Sequence, residues 1–231
     1  MSYSEVALKS SFSLKDFGQN FKFRMEFNKL HPDYFAPDGL ILFCGGQGAG
    51  KTLSAVRYID RLCKAYPKAI LISNIALSLP NYQNKIIPFI SLDDVDLYSN
   101  GEYGIILFID EIQILFSSLE SANVSPSVLQ KISQQRKRRL HIVGTTQLFK
   151  RVSKAFREQC NQVVDCSSLL GYIQRNSVID FGTVAEDASG KLTEYKYKRH
   201  YYWFRAPRYF DMYDTYELVN RRSQNGLTKH R

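Results

Sequence analysis

Short apolar runs, spaced by longer segments with a helical pattern, set the rhythm of this chain. LILFCG (40–45), AILISN (69–74), IILFID (105–110) and HIVGTT (141–146) are apolar on consecutive positions and end on polar residues or glycine. Runs of this kind predict strands buried on both faces of a sheet. KTLSAVRYIDRLCKAYP (51–67) predicts a helix closed by Pro67. SPSVLQKISQQRKRRL (125–140) predicts another, with Ser125 as N-cap and Pro126 at its first position. LFKRVSKAFREQC (148–160) reads as helical and NQVVDC (161–166) as a strand. PFISLDDVDLYSNGEYG (88–104) reads as a connector with a short helix. The first 38 residues show no clear period and end in a turn-rich entry, HPDYFAPDG (31–39).

Strands alternating with helices argue for a mainly parallel sheet covered by helices on both faces. Ligands of such sheets bind beyond the carboxyl ends of the strands. From residue 172 the texture changes. IQRNSVIDFGTVAEDASGKLTEYKYKRHYYWFRA (173–206) alternates around the turn signal DASGK and predicts a β-hairpin. The expected organisation is a lead-in over 1–38, a core over 39–171, and a hairpin extension with a basic tail over 172–231, packed on the core.

Three polar motifs fall at predicted strand ends. Gly45-Gly46-Gln47-Gly48-Ala49-Gly50-Lys51-Thr52 fits the phosphate-loop pattern G-x-x-x-x-G-K-[ST], and Leu53 continues it into the helix. Glycines let backbone N–H groups close around a β-phosphate, and the helix N-terminus adds positive potential. Lys51 is expected to reach the β- and γ-phosphates, and the Thr52 hydroxyl to ligate Mg²⁺. The expected cofactors are therefore ATP and Mg²⁺. IILFIDE places Asp110 to hold the metal and Glu111 to orient, or take a proton from, attacking water. HIVGTTQ places Thr145, Thr146 and Gln147 near the expected γ-phosphate, where a glutamine can sense phosphate or position water. A strand-end acid pair can also be ordinary solvent-facing polarity, and TTQ can be ordinary strand capping. What separates these readings is the complete phosphate loop upstream.

Charge narrows the partner. The 231 residues carry a net charge of +9, which favours a polyanion, nucleic acid before an anionic membrane surface. Nine cations lie between residues 131 and 157 (Lys131, Arg136, Lys137, Arg138, Arg139, Lys150, Arg151, Lys154 and Arg157) with no acid among them. Such a stretch can contact a nucleic-acid backbone, supply an arginine finger to a neighbouring subunit from Arg136, Arg138 or Arg139, or form a solvated helix face. EYKYKRHYYWFRAPRYF (194–210) interleaves basic and aromatic residues, as single-strand binders do. Alternation explains it equally through packing, with Tyr195 and Tyr197 on one face and Lys196 and Lys198 on the other. His141 and His200 stand apart and take no ligand role. Four cysteines without C-x-x-C spacing argue against a zinc site and suit a reducing compartment. No window approaches the roughly 18–20 apolar residues of a membrane span. Without a signal peptide at the N-terminus either, the expectation is a cytoplasmic protein.

Together GGQGAGKT, ILFIDEIQILFSS and LHIVGTTQ resemble the FtsK–HerA superfamily of P-loop ATPases, which is marked by a glutamine after the fourth strand, here Gln147. DEIQILFSS with QQRKRRLHIVGTTQLFKRVSKAFREQC looks closer still to the zonular occludens toxin-like branch and phage DNA-packaging ATPases. The resemblance implies an α/β P-loop NTPase of RecA/ASCE type and an ATP-driven homo-oligomeric ring, of five or six subunits, with its site at a subunit interface. It further implies Lys51, Thr52 and Asp110 around nucleotide and metal, Glu111 as the catalytic carboxylate, Gln147 as sensor, and a trans-acting arginine from 136–139. Zonular occludens toxin-like proteins of filamentous phage usually carry a membrane segment after the ATPase domain, and this sequence shows none. The expected function is translocation of double-stranded DNA into a phage capsid, with a portal as partner and no stable membrane insertion. Two alternatives stay open: a membrane-associated phage assembly or secretion motor, and a nucleotide-switched binding module.

Overall fold

The computed structural model describes residues 13–37, 39–90, 98–114, 139–149, 157–186 and 192–214. The chain divides into two compact units, Met1–Tyr34 and Phe35–Arg231. The first holds one helix, α1 (Leu14–Leu30), capped by Ser13, whose hydroxyl accepts from the Asp16 N–H at 3.2 Å. Phe17, Phe21 and Phe23 are scattered around α1 without a single apolar stripe, which is why no helical period stands out there.

The second unit is built on an eight-stranded sheet. Its strands are β1 (Gly39–Cys44), β2 (Ile70–Ser73), β4 (Ile87–Pro88), β5 (Ile105–Ile109), β6 (Leu140–Thr146), β7 (Cys160–Leu169), β8 (Ile173–Glu186) and β9 (Leu192–Phe204). They lie in the order β4-β2-β5-β6-β1-β7-β8-β9. Pairing from β4 to β7 is parallel, and β7, β8 and β9 pair antiparallel. The predicted strands over 40–45, 69–74, 105–110 and 141–146 are β1, β2, β5 and β6, that over 161–166 lies within β7, and β1, β5 and β6 are buried along their whole length.

Alternation along these strands sorts their side chains into two cores. Ile41, Phe43, Leu71, Ile106, Phe108 and Val143 pack on one face with Ala55, Val56, Ile59 and Cys63 of α2 (Lys51–Ala65). Leu40, Leu42, Ile72, Leu107, Ile109 and Ile142 face the other side with Ile112. Helix α2 ends at Tyr66, whose N–H donates to Leu62 O at 2.8 Å, and Pro67 follows.

The predicted hairpin is present, but it continues the main sheet. β7 runs on past 166 to Leu169, and the turn at 170–171 returns the chain antiparallel as β8. A bulge at Lys198, where Val178 pairs with Arg199 and Ile179 with Tyr197, shifts the alternation of β9. It brings the Tyr197 and His200 rings to 5.2 Å on one face. Beyond β9, a 3-10 helix (Pro207–Met212) leads to β10 (Tyr213–Asp214), which pairs antiparallel with β3 (Ala76–Leu77) just after β2. Residues 125–138 of the predicted helix over 125–140 and most of that over 148–160 lie outside the described residues; Arg139 stands in a turn and Leu140 opens β6, so no helix runs to 140.

Candidate nucleotide site

The polar motifs meet at the carboxyl-terminal edge of the sheet. β1 runs directly into the glycine loop, and α2 begins at Lys51 with Gly50 as its N-cap. Gly50 has φ +83, a conformation open to glycine, and no side chain caps the helix. The N–H groups of the first turn are thus left for an anion. A side chain at Gly45 (φ +149) would run into the Cys166 carbonyl at 2.6 Å, so the loop's close approach to β7 also requires glycine.

Strand order brings the acids to the loop. β6 lies between β1 and β5, and the register sets Cys44 beside Thr146 and Ile109 beside Gly144. Asp110 therefore follows the last residue of a strand two places from the loop. Its Oδ1 accepts from the Thr52 hydroxyl at 2.9 Å and the Thr145 hydroxyl at 2.7 Å. Thr145 Oγ1 also accepts the Glu111 N–H at 2.9 Å, so one buried hydroxyl joins both acids. Glu111 has φ +54, a costly conformation for a residue without glycine's freedom. The Gln113 amide donates to Glu111 Oε2. Asn74, at the end of β2, holds Asp110 from the other side. Asp110 N donates to Asn74 Oδ1 at 2.8 Å, and Asn74 Nδ2 to Asp110 O at 2.9 Å.

Burial pushes the Asp110 carboxyl above the usual aspartate range. Hydrogen bonds from Thr145 and Thr52 oppose this, the nearby Glu111 charge adds to it, and Lys51 lowers it. Lys51 is itself buried, and among the described residues it makes no ion pair; its Nζ donates to Gly46 O at 3.3 Å. A buried ammonium bonded to a neutral carbonyl, beside an uncapped helix N-terminus, fits a phosphate chain. A buried carboxylate with a hydroxyl beside it fits a hard divalent cation, which takes oxygen ligands.

Gln147 follows Thr146 at the same strand end, half-buried. Arg139 occupies a turn with φ +48 at the opposite end of β6, where its carbonyl accepts from Ile105 N at 2.9 Å. At ~3.3 Å per strand residue it stands roughly 20 Å from Thr145, so it does not serve its own chain's site. Arg136 and Arg138 lie outside the described residues. His141 is buried against the Tyr58 hydroxyl at 2.9 Å and His200 sits beside Ser177 Oγ at 2.8 Å, neither near the site.

Several site residues have no motif to announce them. Gln174 of β8 is fully buried, and its Nε2 donates to Ala49 O at 2.9 Å. Asn176 Oδ1 accepts from Ser54 Oγ at 3.0 Å. The hairpin thereby grips the phosphate loop from outside. The available signal was polar residues on a strand whose neighbours alternate apolar, and Asn74 closing a buried run.

The zonular occludens toxin (Zot) family model matches residues 39–217. The chain belongs to the zonular occludens toxin family. The match spans the whole sheet and the segment beyond β9, so the hairpin that grips the loop lies inside the family's domain. The N-terminal domain of zonular occludens toxin from Neisseria meningitidis is similar in structure, with a TM-score of 0.55 and 17% identity over 78% of this chain and 100% of that one. The genome packaging NTPase from Sulfolobus turreted icosahedral virus 2, in complex with ATPγS, aligns with a TM-score of 0.48 and 14% identity over 68% of this chain and 97% of that one. No curated protein matches the chain. The Zot-family chain has the mainly parallel α/β architecture of P-loop NTPases, as its motifs implied. Among the described residues, no helix is long and apolar enough to cross a membrane.

Proposed function

We propose that this chain is an ATP-hydrolysing motor that forms a homo-oligomeric ring and moves double-stranded DNA during phage genome packaging. The observation that carries the ATPase reading is the junction of Thr52, Asp110 and Thr145, in which residues from three elements share one carboxylate oxygen. ATP with Mg²⁺ would supply the phosphoanhydride and the charge that polarises it. Lys51 and the loop N–H groups would hold the phosphates, and Thr52 with Asp110 would hold the metal. Glu111, its backbone tied to Thr145, would accept the proton of the attacking water. Gln147 is suited to contact the γ-phosphate from the end of β6. The net charge of +9 and the acid-free cationic stretch over 131–157 support a DNA partner.

Family membership favours a second reading with the same site: a phage assembly or secretion ATPase working at a membrane. The test measures phosphate release with and without duplex DNA, alongside mass in solution and co-sedimentation with vesicles. The packaging reading expects an oligomer whose turnover rises with DNA, an effect that fades steeply as salt increases. Turnover indifferent to DNA at every salt concentration defeats it, and turnover raised by vesicles alone selects the second reading. Glu111→Gln should bind ATP and lose roughly 10²–10⁴-fold in turnover; full turnover would leave a nucleotide-switched binder.

A further inference from the structure

The segment after β9 crosses the nucleotide site. It is anchored at one end by Arg205 N donating to Tyr172 O at 2.8 Å, and at the other by Ser78 N donating to Met212 O at 2.8 Å and by β10 pairing with β3. Between these ends Tyr209 packs edge-on to Trp203, with centroids 5.3 Å apart, and the Arg57 guanidinium of α2 lies over both rings. The crossing leaves a cavity of about 280 Å³ lined by Gly48, Gly50, Lys51, Thr52 and Leu53 on one side and by Arg205, Phe210 and Tyr213 on the other.

Arg205 is the notable member of that wall. Its Nε and Nη2 donate to Gln174 Oε1 at 2.9 and 2.6 Å, and Nη2 approaches Gly48 O at 3.5 Å. Its guanidinium fills the space that a side chain at residue 50 would need. Among the described residues no carboxylate pairs with it. Among the described residues its acceptors are neutral oxygens. Gln174 in turn is held by Ala49, so the arginine is indexed to the phosphate loop through one buried amide. A planar cation held at the rim of a phosphate cradle, and short of an anion, is suited to bidentate contact with phosphate. Phe210, half of whose surface is exposed, offers the same cavity an aromatic face.

We propose that Arg205 is a second phosphate-binding cation of the nucleotide site, supplied by the same chain, and that Phe210 forms the wall against which the nucleoside stacks. This rests on the nucleotide reading above and adds residues to it. Gln174 is then a positioning residue, keeping the guanidinium at the loop before ligand arrives.

The experiment titrates ATPγS and inorganic triphosphate into the full chain and into Arg205→Ala, Arg205→Lys and Phe210→Ala, with unliganded melting curves as a check on folding. Arg205→Ala should weaken both probes by about tenfold or more, and Arg205→Lys should recover part of that loss. Phe210→Ala should weaken ATPγS and leave triphosphate unchanged. A structure with ATPγS bound should place the guanidinium within hydrogen-bond distance of a phosphate oxygen, a result that mere bracing of the loop would not give. Wild-type affinity for triphosphate in Arg205→Ala overturns the assignment while ATP binding by the chain stands. So does a complex in which Arg205 touches only Gln174 and Gly48. A wild-type chain that binds neither probe overturns the nucleotide reading and the Arg205 assignment with it.

Discussion

Asp110 carries a conflict between stability and function in one side chain. Its carboxylate is buried, and desolvation outweighs the two hydroxyl hydrogen bonds, so its proton is held more tightly in the folded chain than in the unfolded one. The sign of the linkage follows. Stability associated with this group is fully present below the ordinary aspartate range of about 4 and is lost as pH rises through the higher folded value. Ionising Asp110 therefore costs the unliganded fold stability. Asp110→Asn keeps an acceptor for Thr52 and Thr145 and removes the charge. Its unliganded melting temperature should exceed the wild-type value at pH 7, and the gap should narrow as pH falls towards 4. Metal-dependent turnover should be lost at the same time. An unliganded Asp110→Asn chain that melts below wild type at pH 7 would contradict the desolvation argument. Glu111 shows the other form of such a compromise, since its left-handed backbone is held in place by Thr145.

At the level of elements, Leu42 and Ile112, packed on the same face of the sheet, leave no room for a side chain at Gly144. A Cβ there would lie 2.8 Å from Ile112 Cδ1 and 2.8 Å from Leu42 Cδ2. Gly144 precedes Thr145, and Ile112 sits in the 3-10 turn that follows Glu111. Gly144→Ala should therefore cost about 1–3 kcal/mol by overpacking, read from denaturant unfolding, and lower turnover more than a remote lesion of equal size. Turnover that simply follows the folded fraction would mean that the turn carrying the acids absorbs the methyl group. The strands around this point were legible because continuous apolar runs need burial on both faces. The phosphate loop and the acids were legible because backbone geometry and charge demand those residue types at those spacings. Gln174 and Arg205 were not, because an isolated glutamine and arginine in an alternating hairpin carry no periodic mark. The antiparallel returns from β7 to β8 and from β8 to β9 bring them to Ala49 and Gly48. The Lys198 bulge was equally silent, since it depends on how Val178 and Ile179 pair across the ladder. In α1 the phenylalanines cap no single face, so a real helix left no amphipathic trace.

For the whole molecule, the arrangement of cations restricts how a ring could work. The site's own chain supplies Lys51, and the proposal above adds Arg205 beside it. Arg139 sits at the amino-terminal edge of the sheet, with the length of β6 between it and Thr145. In the proposed ring, an arginine finger at Arg139 would act on a neighbour's nucleotide, and this would require the amino-terminal edge of one subunit to face the carboxyl-terminal edge of the next. That head-to-tail contact is heterologous and closes into a ring when the rotation permits. On the proposed reading, Lys51→Ala subunits would lose nucleotide but keep their arginines, and Arg136→Ala subunits would keep the nucleotide site but lose the proposed finger. Each pure preparation should be inactive, whereas a mixture should regain part of the wild-type turnover, because some interfaces pair an intact site with an intact arginine. Arg138→Ala and Arg139→Ala are tested in the same way, and the variant whose mixture recovers identifies the finger. Mixtures that stay inactive with all three, although the subunits co-assemble by mass, would exclude a trans-acting arginine from this stretch. Arg205 would then be left as the candidate for stabilising the phosphates from within each chain.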